Sequence, residues 1–204
     1  MKKIVAFFLA LTVVFGLTAC QNDAEAPNIS QQQTVTDMIG RSVTVTPGSY
    51  KRVVCVGAGA LRMYSYVGDV SLLCGVEDID NESLEQRPAM FDAVARPYVL
   101  AYGDIFNTLP SCGVGGPMAQ TAEAEKILSC DPDIVISAFE DVEKSDALQE
   151  QLGVPVVTLS TGSKGVFDDK FSGSVRLLGQ IFAEEEKAES LLLGITPETF
   201  CDPK

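Results

Sequence analysis

Residues 52–77 read RVVCVGAGALRMYSYVGDVSLLCGVE. The runs at 52–56 and 72–76 are short and mostly apolar, with no polar alternation, so each describes a strand covered on both faces. Between them Gly57 and Gly59 punctuate the chain and a longer stretch follows, the order strand, glycine turn, crossover and strand of an α/β unit. Working outward, further strands are expected at 133–137 and 155–159, with a weaker one at 111–114. Connecting helices are expected at 121–129, with Ile127 and Leu128 inward, and at 144–152, where Leu148 and Leu152 share a face before Gly153. Phe171, Val175, Leu178 and Phe182 fall at i, i+4, i+7 and i+11, predicting one long helix over 168–193. The fold class that follows is α/β, an open and mostly parallel sheet flanked by helices.

Toward the N-terminus the style changes. Residues 34–45 (TVTDMIGRSVTV) form two β-rich runs around Asp37 and Gly40, a small hairpin. Residues 20–33 are polar and aperiodic, a flexible tether. Lys2 and Lys3 precede an apolar run too short for a comfortable membrane span, and the run ends at Leu17-Thr18-Ala19-Cys20, the pattern of a signal peptide over 1–19. Ending on Cys instead of the usual small-residue site, it resembles the lipobox of bacterial lipoproteins, which implies lipidation at Cys20 and export to the outer face of the cytoplasmic membrane or the cell surface.

The charge balance, 15 Lys+Arg against 28 Asp+Glu for a net −13, argues against nucleic acid as a partner, because phosphate binding needs clustered cations. His is absent, removing the commonest general base and the commonest metal ligand, so catalysis is not expected. Six cysteines leave five once Cys20 is assigned to lipid. Their spacings fit no zinc module, and Cys55 and Cys74 lie in apolar strands as small core side chains. Glu184, Glu185 and Glu186 read as a solvated face.

Several stretches in this order carry a family resemblance: Asp37-Met38-Ile39-Gly40-Arg41 followed by Val43-Thr44-Val45, Arg52-Val53-Val54, Arg96-Pro97-Tyr98, EKILSCDPDIV at 125–135, GVPVV at 153–157 and Arg176-Leu177-Leu178-Gly179. The chain resembles the substrate-binding lipoproteins of ABC importers for iron complexes and vitamin B12 (siderophores, haem, cobalamin) over residues 34–189. The resemblance implies two α/β lobes joined by a long helix, with ligand in the cleft between them. Here 34–167 would be the N-terminal lobe and 168–193 the interlobe helix. Residues 194–204 (GITPETFCDPK) leave the helical pattern, so the sequence is expected to carry one lobe, either through a frameshift or truncation or as a genuine single-lobe protein. The implied partners are an ABC permease with its ATPase, a small-molecule metal chelate, and the membrane through the lipid. No cofactor is implied, metal arriving only inside an organic chelate. Glu125 occupies the position at which the family's N-terminal lobe presents a glutamate to the permease, with Glu123 two residues away as the alternative.

Ligands of open α/β sheets lie beyond the carboxyl ends of the strands, which makes the loops at 57–60, 113–117, 138–140 and 160–162 the contact candidates. The ligand-binding set is Gly57, Ala58, Gly59, Arg96, Tyr98, Gly115, Gly116, Phe139 and Ser160. Glycine there either lets backbone N–H groups approach an anion or simply makes a tight turn. Tyr98 and Tyr102 could stack on a conjugated ligand or pack on the lobe, and Arg96 could pair with a chelate carboxylate or with an acid of its own lobe. Gly57-x-Gly59, with Glu77 twenty residues on, is part of a dinucleotide fingerprint, but Arg62 holds the third glycine position and weakens it. The alternative to ligand capture is a single-lobe surface lipoprotein that binds macromolecules and no small molecule.

Overall fold

The computed structural model describes residues 31–116 and 119–195. The expectations for the signal segment, Cys20 and residues 196–204 lie outside the described residues. The chain opens with a hairpin of β1 (Gln33–Thr36) and β2 (Ser42–Val45), paired with Val35 opposite Val43. β1 begins at residue 33, the last residue expected in the tether. A five-stranded parallel sheet follows, built from β3 (Val53–Val56), β4 (Leu73–Glu77), β5 (Ser111–Gly113), β6 (Ile134–Ser137) and β7 (Val156–Thr158) in the order β5-β4-β3-β6-β7. All five sheet strands fall within a residue or two of the apolar runs.

Alternation along these strands divides the core between two layers. Val53, Cys55, Ile134, Ile136 and Val157 pack with α1 (Ala60–Val67) and α5 (Asp169–Phe182). Val54, Val56, Val135 and Val156 pack with Ile127 of α3 (Ala124–Ser129) and Leu148 and Leu152 of α4 (Val142–Leu152). Each fully buried aliphatic side chain is worth about 1.5–3 kcal/mol over exposure. The helix ends follow their caps. Asp141 Oδ1 accepts from Lys144 N at 3.0 Å to start α4, and Gly153, at φ 68°, stops it. α2 (Pro97–Phe106) begins on a proline at its first position, where no N–H is missed.

The single long helix expected over 168–193 is two. α5 ends at Phe182, Ala183 takes a left-handed conformation at φ 56°, and α6 (Glu185–Gly194) runs back. A Cβ on Gly179 would lie 2.8 Å from Ala188 Cβ, so glycine there lets the helices touch, and Arg176 closes the pair by bonding Glu189 at 2.7 Å. The turn keeps Ala188, Leu191 and Leu192 against the core of the lobe, whereas a straight continuation would carry them into solvent. Glu184, Glu185 and Glu186 are exposed as expected. Among the described residues no helix is long and apolar enough to cross a membrane.

Candidate functional site

From β3 the chain travels one way through β4 and β5, then returns to place β6 and β7 on the other side, so the strand order reverses between β3 and β6. Crevices outside the carboxyl ends of strands near such a reversal are where α/β folds hold ligands. The loop after β3 turns through Gly57 at φ 87° and Gly59 at φ 99°, conformations in which side-chain-bearing residues are strained. A Cβ on Gly57 would also meet the Ala138 carbonyl carbon and the Phe139 ring at 3.3 Å, and one on Gly59 would meet Thr161 Cγ2 at 2.9 Å. Glycine is required at both.

Beside this loop opens a cavity of about 400 Å³. Its floor is the end of β4 and its wall the segment leading into α2. Glu77 Oε1 accepts the Gly57 N–H at 2.9 Å, tying the floor to the loop. Arg96 donates to Asp80, and also to the Ile79 carbonyl at 3.0 Å, with Glu82 at 3.5 Å from its other nitrogen. The Tyr98 hydroxyl donates to Asp80 Oδ1 at 2.9 Å. Leu61, Ile79, Phe91 and Val94 supply apolar surface, and Arg62 reaches in from the first turn of α1.

Of the ligand-binding set, the cavity brings together Gly57, Ala58, Gly59, Arg96, Tyr98 and Gly116. Gly115 stands behind it, where a Cβ would lie 2.5 Å from Glu77 Cβ. Phe139 touches Gly57 but lines a separate, smaller depression over α4. Ser160 lies away from the cavity and is engaged internally, its hydroxyl on Glu140 at 2.7 Å and its N–H on Ser174 at 2.8 Å. Arg96 is committed to Asp80, an acid of its own lobe. Tyr102 packs near Phe106, outside the cavity. Arg62, noted in the sequence only as a misplaced fingerprint residue, is a cavity residue. Its signal was its place five positions after Gly57, in the first turn of α1.

Glu125 is exposed in the first turn of α3. Glu123 is tied down, accepting from Val114 N at 2.7 Å and pairing with Lys126 at 3.0 Å. The four described cysteines, Cys55, Cys74, Cys112 and Cys130, are free thiols, and burial pushes all of them up, Cys74 to about 11. Among the described residues no group of three His, Cys, Asp or Glu side chains is placed to hold a metal ion.

The buried Glu77 makes a pH prediction. Desolvation pushes its carboxyl up to about 7, against the lowering effect of the Gly57 N–H, while Asp80, Glu123 and Asp78 add repulsion. In the unfolded chain the same group titrates near 4.5, so between the two values the folded state binds the proton more tightly. Stability therefore falls as pH rises through that window and levels off above it. At about 1.4 kcal/mol per pKa unit the loss is about 3 kcal/mol. Glu77→Gln keeps an oxygen for Gly57 and removes the charge. In urea unfolding it should match wild type at acid pH and exceed it by about 3 kcal/mol at mildly alkaline pH. Equal pH slopes in the two proteins would refute the assignment.

Solved structures that share this fold include the following three. The molybdate periplasmic binding protein MolA of Haemophilus influenzae is 17% identical over 78% of this chain and 49% of its own, at a TM-score of 0.58. The catecholate-siderophore binding protein VctP of Vibrio cholerae is 20% identical over 80% of this chain and 50% of its own, at 0.56. The petrobactin-binding protein YclQ of Bacillus subtilis is 20% identical over 81% and 50%, also at 0.56. The chain thus spans about half the length of these proteins. No curated protein matches it. The family model for periplasmic binding proteins matches residues 53–198, most of the chain and every strand of the parallel sheet, and the chain therefore belongs to the periplasmic binding protein family.

Proposed function

We propose that this chain captures a small organic metal chelate, a siderophore complex, haem or cobalamin, and delivers it to the permease and ATPase of an ABC importer. The observation that carries the reading is the cavity itself. It sits beyond the carboxyl ends of β3 and β4, is lined by apolar side chains, and borders the Gly57–Gly59 turn, which Glu77 ties to the end of β4. The fold shared with proteins named for catecholate siderophores and petrobactin supports the ligand class. Metal enters as part of the substrate.

Calorimetric titration with a ferric tris-catecholate, ferrichrome, haem and cyanocobalamin tests this. At least one should bind one-to-one, and Ala58→Trp, which fills the cavity from an exposed position, should abolish binding without unfolding the protein. Binding by none of the four would favour a macromolecular partner instead, and binding indifferent to Ala58→Trp would overturn this cavity as the ligand site.

Delivery adds two features. The sequence Leu17-Thr18-Ala19-Cys20 supports a lipid anchor on Cys20, and the exposed Glu125 supports docking on a basic permease surface. A rim ion pair of this kind contributes about 0.2–1 kcal/mol, mostly through orientation and on-rate. Cys20→Ser should move the protein from the membrane to the soluble fraction. Glu125→Arg should slow chelate uptake in cells while leaving chelate affinity intact. Membrane retention of the serine variant would refute the anchor, and unimpaired uptake by the arginine variant would refute the docking role.

A further inference from the structure

We propose that Arg62 and the first turn of α1 form an anion subsite in the cavity, so that the captured ligand is amphiphilic and directs a carboxylate or other oxyanion at Arg62. This rests on the cavity being the ligand site and goes beyond it by fixing the charge and orientation of the ligand.

The first observation is a pairing anomaly. The chain has six arginines and an excess of acids, and five of them, Arg41, Arg52, Arg87, Arg96 and Arg176, are ion-paired. Arg62 is the one arginine with no carboxylate partner among the described residues, and its Nε–H is buried with no acceptor. A buried donor left unmade costs about 1–3 kcal/mol, more on a charged group, so an orphan in an otherwise paired set marks the place of an absent acceptor.

The neighbouring acids do not fill that place. Glu77 Oε1 accepts the Gly57 N–H, and Asp80 is held by Arg96 and Tyr98. Both face the cavity, yet neither is bonded to the Arg62 guanidinium. Burial also pushes both carboxyls up, which lowers the negative charge that would oppose an anionic ligand.

The backbone points the same way. α1 is preceded by Gly59, which offers no side-chain cap, and a Cβ there would lie 3.8 Å from Arg62 Nη2, so the guanidinium hangs over the uncapped positive end of the helix. Two sources of positive potential converge on one corner of the cavity, while Leu61, Phe91 and Val94 line its remainder. A volume of about 400 Å³ with this division suits an organic body carrying an oxyanion better than a bare inorganic anion. A guanidinium receives a carboxylate through two parallel hydrogen bonds, which sets the orientation of the bound molecule.

The test uses the full 15N-labelled chain with citrate as anionic probe and triethyl citrate as its neutral counterpart, followed by NMR at the Arg62 Nε–H and the Gly57 and Gly59 amides. Citrate should shift all three saturably and bind at least about tenfold more tightly than the ester. Arg62→Ala should lower citrate affinity by about tenfold or more and erase the preference, and Arg62→Lys should keep part of it. Citrate that binds in the cavity, is blocked by Ala58→Trp and yet is indifferent to Arg62→Ala would overturn the subsite and leave the cavity reading standing. Shifts confined to amides outside the cavity, or none, would overturn both.

Discussion

Asp37→Ala is expected to lower the free energy of unfolding by about 4–5 kcal/mol, the largest single-residue effect on stability in this lobe. The Asp37 carboxylate has no exposed side-chain surface and gathers four donors. These are Ile39 N at 3.2 Å, Arg41 N at 2.8 Å, Arg41 Nη1 at 3.1 Å and Thr158 N at 3.3 Å. The first three of these bonds lie within the turn between β1 and β2, and the fourth holds that turn against the end of β7. Removing the carboxylate leaves the Arg41 guanidinium, itself 5% exposed, with Asp146, a partner open to water, and two carbonyl oxygens. The cost is chiefly the uncompensated buried charge, and only secondarily the lost bonds. The double variant should cost less than the sum of Asp37→Ala and Arg41→Ala, since each substitution alone already breaks the same pair. Urea unfolding of Asp37→Ala, Arg41→Ala and the double variant checks both statements. A loss under about 1 kcal/mol for Asp37→Ala would show that the hairpin is not anchored by this group.

Arg96→Ala is expected to cost about 3–5 kcal/mol through the same physics at the cavity wall. Arg96 and Asp80 are 10% and 7% exposed at the side chain, and among the described residues the Tyr98 hydroxyl is the donor left to Asp80 once the guanidinium is gone. Burial already pushes the Asp80 carboxyl up, with the Tyr98 hydroxyl and Arg96 pulling it back, so removing Arg96 lets it rise further. Asp80 then takes up a proton in acid, and the destabilisation should be smaller at about pH 5 than at about pH 8. Arg62→Ala should by contrast leave stability within about 0.5 kcal/mol of wild type or raise it, because that arginine has no partner to orphan. Thermal unfolding of the two alanine variants at both pH values separates the structural arginine from the ligand-facing one. Similar losses from both would contradict the division of roles.

Most of the sheet was legible because its strands are short apolar runs bounded by glycine, proline and aspartate, and that local chemistry decides both where a strand sits and which faces it buries. Gly57, Gly59 and the stop at Gly153 were legible for the same reason. The break at Ala183 was not. Its sequence lacks a glycine or proline, and what bends the chain is the close approach of α6 across Gly179, a contact between residues nine apart that periodicity cannot show. Asp37 read as a turn residue, and its tie to Thr158 depends on where β7 lies in space. Arg96 and Arg62 were hardest to tell apart, since a lone arginine in sequence carries no record of whether an acid faces it. The loop rule named Gly57, Ala58, Gly59 and Gly116, which line the cavity, and also Ser160, which does not. Its residue follows an outer strand, β7, and turns its hydroxyl to Glu140 instead of the cavity.

Anomalous scattering from iron, in crystals of the chain grown with the tightest-binding ferric chelate, locates the ligand directly. The account predicts one iron peak inside the cavity between the Gly57–Gly59 turn and Tyr98, with an oxyanion of the chelate on the Arg62 side. An iron peak on any other face of the lobe, with the cavity filled only by water, would contradict it.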